Sequence, residues 1–271
     1  MPGPGPATAA LLALFLWWFS TGAILLAVRR AERHGARGRW LAASGGLPLL
    51  GLGAWGLAAS LGRADPTGVL VAFVSAVAVW GWIELAFLTG LVTGPNRRPC
   101  PPGLPGWERF LRGWGTVAHH DMALTAALLL VGWAAMGAAN PFGFWTFAVL
   151  YAARISAQLN LFLGVPRVNL EFLPAGLGHL ASHFRIAGWS WLFPVSVTGL
   201  GLATGCWLER LMAAGTPGAA TGFSLLAAIT ALALVEHWLM VLPLPDAKLW
   251  RWMLPDPPAR RPDPRERPHE L

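Results

Sequence analysis

The chain has little charge. Only 12% of its 271 residues are Asp, Glu, Lys or Arg, against 55% hydrophobic, and its mean hydropathy is +0.52. So little polar surface excludes a soluble globule of this length. Cysteine is nearly missing as well: there are two, Cys100 and Cys206, with no CxxC pair to hold a metal. The GxSxG elbow, the Walker A loop, a GxGxxG after a strand and HExxH do not occur, which removes the common hydrolase, nucleotide-binding and zinc-protease readings. Lys and Arg are absent from Met1–Pro6, ahead of the first apolar run, where a cleaved signal peptide carries its cations. That run is therefore expected to stay as a first helix.

What the chain does have is long apolar runs: Ala7–Val28, Trp40–Gly62, Gly68–Thr93, Thr116–Ala138, Gly143–Val165, Gly188–Leu208 and Gly218–Leu242. Each approaches or exceeds the roughly 20 residues that cross a hydrocarbon core of about 30 Å. The expected fold is all-α, a polytopic membrane bundle of about seven transmembrane helices. Of the 20 Lys and Arg residues, all but Arg63, Arg154 and Arg210 fall in alternate gaps or the C-terminal tail. An excess of cations marks the cytoplasmic side, so the N-terminus is expected outside and the C-terminus inside. Cys100 and Cys206 then lie on opposite sides. The formal net charge of +7 reads as this bias and as attraction to anionic lipid in the bilayer, with no nucleic-acid partner.

Short gaps make sequence neighbours antiparallel neighbours in space. Two longer basic segments stand out. Pro95–Gly115, with Trp107, Phe110 and Trp114, is expected along the interface. Within Pro166–Ala187, the spacing of Leu173, Leu177, Leu180 and Phe184 predicts a short amphipathic cytoplasmic interfacial helix over Pro174–Arg185. Residues 1–254 form the integral membrane domain and 255–271 a Pro/Arg-rich tail, expected to be disordered. Most of the 16 Trp residues fall near helix ends, as interfacial rings do. Trp55, Trp80, Trp82 and Trp133 lie deeper, where they serve the core, face lipid or pack on a flat pigment or quinone.

A charge inside a membrane segment needs a partner or a purpose. Arg154 sits near the middle of the fifth run with Tyr151 and Gln158 on the same helical face, and Glu84 and Glu236 lie in the inner parts of the third and seventh. The expected intramembrane polar network is Glu84, Arg154, Gln158 and Glu236. It reads either as a structural ion pair of Arg154 with Glu84 or Glu236, or as the lining of a cytoplasm-facing cavity. The outer half is almost wholly apolar, which argues against alternating-access transport. His119, His120, Asp121, His179, His183 and His237 are candidate pigment or metal ligands, with the carboxylates of Glu171 and Glu236 at similar depth. His179 and His183 have the i,i+4 spacing of one helical face, and with Glu236 and His237 they are expected to border one pocket. One HxxxH with scattered partners is sparse for an iron site, and no catalytic residue is assigned.

Several strings carry a resemblance: Phe15-Leu16-Trp17-Trp18-Phe19-Ser20-Thr21-Gly22 with Arg29-Arg30-Ala31, Gln158-Leu159-Asn160-Leu161-Phe162-Leu163-Gly164-Val165-Pro166, Asn169-Leu170-Glu171-Phe172-Leu173-Pro174, and Glu236-His237-Trp238 running into Leu242-Pro243-Leu244-Pro245-Asp246. In these the chain resembles the PuhE-type photosynthetic complex assembly proteins of purple phototrophic bacteria. The resemblance implies a place in the intracytoplasmic membrane with reaction-centre or light-harvesting subunits or pigment-synthesis enzymes as partners. It supplies no catalytic residues. A non-catalytic assembly factor is the first expectation. The alternative is a pigment- or metal-binding membrane protein, possessing bacteriochlorophyll or iron, that uses the cytoplasm-side His/Glu cluster, including as an oxidoreductase.

The charge asymmetry fixes one outcome. A reporter fused after Leu271 is expected to be active only in the form that works in the cytoplasm, and alkaline phosphatase activity at that site would overturn the orientation.

Overall fold

The computed structural model describes residues 5–170 and 173–243. Glu171, the cations from Lys248 onward, and the expected boundary at 254/255 lie outside the described residues. The described chain folds as helices α1 (Pro6–Glu32), α2 (Gly35–Gly45), α3 (Leu47–Ser60), α4 (Pro66–Leu88), α5 (Gly106–Gly115), α6 (Ala118–Ala134), α7 (Phe142–Leu163), a 3₁₀ helix (Ala175–His183), α8 (Leu192–Met212) and α9 (Pro217–Leu239). Five stretches are long and apolar enough to cross a membrane: α1, α2 with α3 as one of 26 residues, α4, α7 and α9. A sixth arises if α5 and α6, bent by 69° at their junction, count as one. The all-helical expectation holds, and of the seven expected crossings two are weaker in this respect. The fourth is the 17-residue α6, and the sixth is α8, whose glycines, threonines and Glu209 dilute its apolar character.

Local chemistry sets the helix ends. The two central helices begin alike, with a capping side chain followed by proline at the first helical position. Asp65 accepts from the N–H groups of Thr67 and Gly68 at 3.0 and 3.1 Å ahead of Pro66. The Gly68 bond, reinforced by Arg63 and the Thr67 N–H, holds the Asp65 carboxyl below its usual range. Thr216 accepts from the Ala219 N–H at 3.2 Å ahead of Pro217. Between α2 and α3, Pro48 lacks the N–H that would continue the ladder, and the chain breaks at Gly46. Arg29 and Arg30 lie in the last turn of α1, where a cation meets the negative end of the helix.

Helices α4 and α9 form the centre: 50% and 56% of their most apolar windows are buried, against 17% for α1, α2–α3 and α7. Ala9 and Ala13 of α1, Val69 and Phe73 of α4, and Leu225 and Ile229 of α9 make one core cluster. Leu57, Ala76, Val79, Ile83, Leu124 and Phe147 make a second, joining α3, α4, α6 and α7. Among apolar surroundings the gain comes from close packing more than from leaving water, so small residues at contacts matter. Gly53 and Gly56 of α3 lie against Ser75 of α4, and Gly222 of α9 receives the Phe142 ring so closely that a Cβ there would overlap it.

The two ends of the bundle are tied differently. At one end Asn140 joins two turns, bonding Leu61 O through its backbone and Ser60 O and Arg63 O through Nδ2. At the other, basic end the Ala175 N–H meets Glu32 Oε1 at 2.8 Å, Arg167 N–H meets Met240 O at 3.1 Å, and Val165 pairs with Ile186 in a parallel bridge. Gly164, at φ +133°, turns the chain out of α7 in a conformation that L side chains rarely adopt.

The expected interfacial helix over Pro174–Arg185 is corrected to the shorter 3₁₀ helix Ala175–His183. With three residues per turn, positions three apart eclipse. Leu177, Leu180 and His183 are its buried residues, and His179 falls off that line. Gly176 and Gly178 weaken the α alternative. The ties of Ala175 to Glu32 and of Ser182 Oγ to the Cys100 N–H fix both ends of the tighter winding. Of the deeper tryptophans, Trp80 packs edge-on to Phe147 and Trp82 donates to Ala43 O at 3.0 Å. Trp55 and Trp133 are about 70% exposed, on outward faces.

Filling the closest contact tests this packing. Gly222→Leu is expected to destabilise the protein by about 1–3 kcal/mol, as overpacking does, and to lower its melting temperature in detergent. Gly51→Leu, at a site with open space, is the control and leaves melting unchanged.

Candidate functional site

The polar residues of α4, α6 and α7 meet in the half of the bundle nearer the basic end. Glu84 Oε1 lies 3.4 Å from Arg154 Nε and 3.5 Å from His120 Nε2. The other ring nitrogen of His120 lies 3.5 Å from Asp121 Oδ1, and Asp121 Oδ2 accepts from Gln158 Nε2 at 3.0 Å. Arg154, Glu84, His120, Asp121 and Gln158 thus form one chain across three helices. The His120 side chain is fully buried, and Glu84 and Arg154 retain 16% and 28% exposure. With both nitrogens facing carboxylate oxygens, His120 in its imidazolium form would make the set charge-neutral. Phe87 closes it on one side: its ring is 4.4 Å from that of His120 and 5.3 Å from the Arg154 guanidinium, a cation–π distance.

Sequence spacing placed Tyr151 beside Arg154 and Gln158. Its hydroxyl meets Thr125 Oγ1 at 2.9 Å. Glu236 lies apart from this chain and forms no ion pair among the described residues. His237 is buried, bonded to Ser156 Oγ at 2.9 Å and to Ala233 O at 2.8 Å. It links α7 to α9. His119 is exposed on α6, because its neighbour His120 takes the inward position and residues one apart diverge by about 100°.

His179 and His183 do not share a face, a correction that follows from the 3₁₀ winding. His183 is 3% exposed, with Nε2 3.2 Å from Arg98 O. Burial, with His183 and Arg97 nearby, holds the His179 ring below the ordinary histidine range. The expected pocket bordered by His179, His183, Glu236 and His237 is not assembled. Among the described residues no group of three or more His, Cys, Asp or Glu side chains comes together as a metal-ligand set.

A different cavity, of about 310 Å³, lies between α5, α6, α7 and the 3₁₀ helix. Asp121, Thr125, Tyr151, Gln158 and His183 supply its polar groups, and Phe110, Trp114, Phe162 and Phe184 its aromatic walls. The bend between α5 and α6 makes this space, since α5 turns away to cover the end of α7. Arg109 holds it there, donating to Phe162 O at 2.8 Å and His183 O at 3.0 Å with its guanidinium 4.3 Å from the Phe162 ring centre. Sequence reasoning missed the cavity because it depends on that bend. The one available signal was Gly113-Trp114-Gly115 before the fourth run, a stretch poor in helix propensity.

The ion pair allows a direct test. Arg154→Leu is expected to lose about 3 kcal/mol, the low end of the range for breaking a buried pair, since Arg154 is partly exposed. Glu84→Gln in the same chain should recover part of the loss. Melting of the four proteins of this cycle in detergent measures the coupling, and strictly additive losses would show that the two groups do not interact.

No solved structure matches this chain. It is 56% identical over 250 residues to a protein of Rhodobacter capsulatus described as the uncharacterized 30.4 kDa protein in the puhA 5' region, covering 92% of this chain and 91% of the relative. The profile of the family described as "Protein of unknown function (DUF3623)" matches residues 5–261. With nearly the whole of its length matched, the chain belongs to the DUF3623 family.

Proposed function

We propose that this chain is a multi-pass protein of the bacterial inner, intracytoplasmic membrane that assists assembly of photosynthetic complexes, as a non-catalytic partner of nascent reaction-centre or light-harvesting subunits or of pigment-synthesis enzymes. The observation that carries this reading is the relative at 56% identity, described by its position in the puhA 5' region. It agrees with what the resemblance to the PuhE-type proteins implies. In this reading the chain makes seven crossings, the N-terminus lies outside, the basic end faces the cytoplasm, and residues 1–254 and 255–271 are the membrane domain and tail. The outward faces of the two weaker helices support the count. Leu129, Leu130 and Trp133 of α6 and Val195 and Leu202 of α8 are all more than half exposed, and apolar stripes of that kind suit lipid or other helices. The chain Glu84, Arg154, His120, Asp121 and Gln158 then serves as an internal brace, and the exposed faces serve partners.

Deleting the coding sequence from a phototrophic host should lower the near-infrared absorption of reaction-centre and light-harvesting complexes in its membranes, and the intact gene should restore it. An affinity-tagged copy should co-purify complex subunits or pigment-synthesis enzymes. Unchanged absorption in the deletion strain would overturn the reading.

A further inference from the structure

The cavity between α5, α6, α7 and the 3₁₀ helix has hydrogen bonds whose direction chemistry fixes. Thr125 Oγ1 donates to Asp121 O at 2.7 Å, so its one hydrogen is used, and the Tyr151 hydroxyl 2.9 Å away must donate to Thr125. The Thr116 hydroxyl donates to Gly113 O at 2.6 Å. Gln158 turns its Nε2 toward the Asp121 carboxylate, which accepts, and its Oε1 is left buried without a partner. Arg98 O, a carbonyl, only accepts, so the proton of neutral His183 sits on Nε2 and Nδ1 presents a lone pair. That Nδ1 is also buried and without a partner. It lies beside cavity-lining Gly113, where a Cβ would come within 3.9 Å of it. The hydroxyl hydrogens of Thr116, Thr125 and Tyr151 are thus spent within the protein, while Gln158 Oε1 and His183 Nδ1 stay open and Asp121 Oδ1, also without a hydrogen bond, faces the His120 ring.

These open acceptors favour a ligand that brings a donor, because a buried acceptor left unmatched is costly. The surrounding rings of Phe110, Trp114, Phe162 and Phe184 favour a flat aromatic body. At about 310 Å³ the space is at the small end of ligand pockets, which begin near about 300 Å³, so it takes a ring and the start of a chain. Trp114 and Met122 line it and are 46% and 54% exposed, which gives an apolar tail a way out along the surface of the bundle.

We propose that this cavity binds a lipid-soluble phenol, its ring among the four aromatic side chains and its hydroxyl donating to His183 Nδ1 or Gln158 Oε1. An oxidised quinone, whose carbonyls only accept, would leave both of these acceptors unmatched. The site is independent of the assembly role and of any metal.

The test compares 4-nonylphenol with its methyl ether, which keeps the ring and tail and lacks the donor. Equilibrium binding to the full chain in nanodiscs should be saturable for the phenol and about tenfold weaker for the ether, the worth of roughly one well-placed hydrogen bond. His183→Phe removes one open acceptor and should shrink that preference, and Ile155→Trp, which fills the cavity, should abolish binding of both. A melting curve checks that each variant folds, and Gln158→Met reads the same preference if His183→Phe does not. Equal binding of phenol and ether to the unaltered protein would overturn the proposal, as would undiminished phenol binding by folded Ile155→Trp.

Discussion

The placement of Glu84 between Arg154 and His120 governs the arrangement of the bundle's polar half. A carboxylate among apolar helices is tolerable only with compensation, and Glu84 receives it from α7 and α6 together. Satisfying it therefore fixes the rotation of three helices at once. That rotation turns Asp121 toward Gln158 and leaves Tyr151, Thr125 and Gln158 facing the space under α5. An ion pair of this kind adds little net stability compared with an apolar replacement, but it penalises any other packing that strands one of its charges.

Much of this was legible in the sequence, for physical reasons that can be named. An arginine in the middle of an apolar run stands out because such a residue is expensive, and Tyr151 and Gln158 at helical spacing mark the face on which it lies. The choice of Glu84 over Glu236 was not legible. Both carboxylates have suitable depth, and only the relative rotation of α4, α7 and α9 decides between them. The central role of α4 and α9 was hidden for a related reason: in helices apolar on every side, the pattern carries no phase that says which face is buried.

The His179/His183 pair shows where local pattern misleads. Leucines at 173, 177 and 180 and Phe184 fit an α-helical period, yet the short segment is pinned at both ends and winds more tightly. A change from 3.6 to 3 residues per turn is slight over one step and decisive over four. It carries His183 into the wall of the cavity together with Leu180, while Leu177 packs into the core beside Phe87 and Val117. The same loss of register separates His179 from His183, and the three buried imidazoles, on different elements, serve different neighbours: His120 the carboxylates, His237 the junction of α7 and α9, His183 the cover formed by α5.

The length of α6 has a consequence for the lipid around it. Its 17 residues rise about 25 Å, short of the about 30 Å of an average hydrocarbon core. If α6 crosses a bilayer, as the proposed seven-crossing reading has it, this side of the molecule would pinch the leaflets together, extend flanking side chains to the interface or shelter its short edge against another protein. Hydrophobic mismatch of a few ångströms costs fractions of a kilocalorie per ångström, a small penalty that a neighbouring helix covering Leu129, Leu130 and Trp133 would relieve. In that reading the bend that opens the cavity would also make one flank of the bundle a place where the membrane itself favours company.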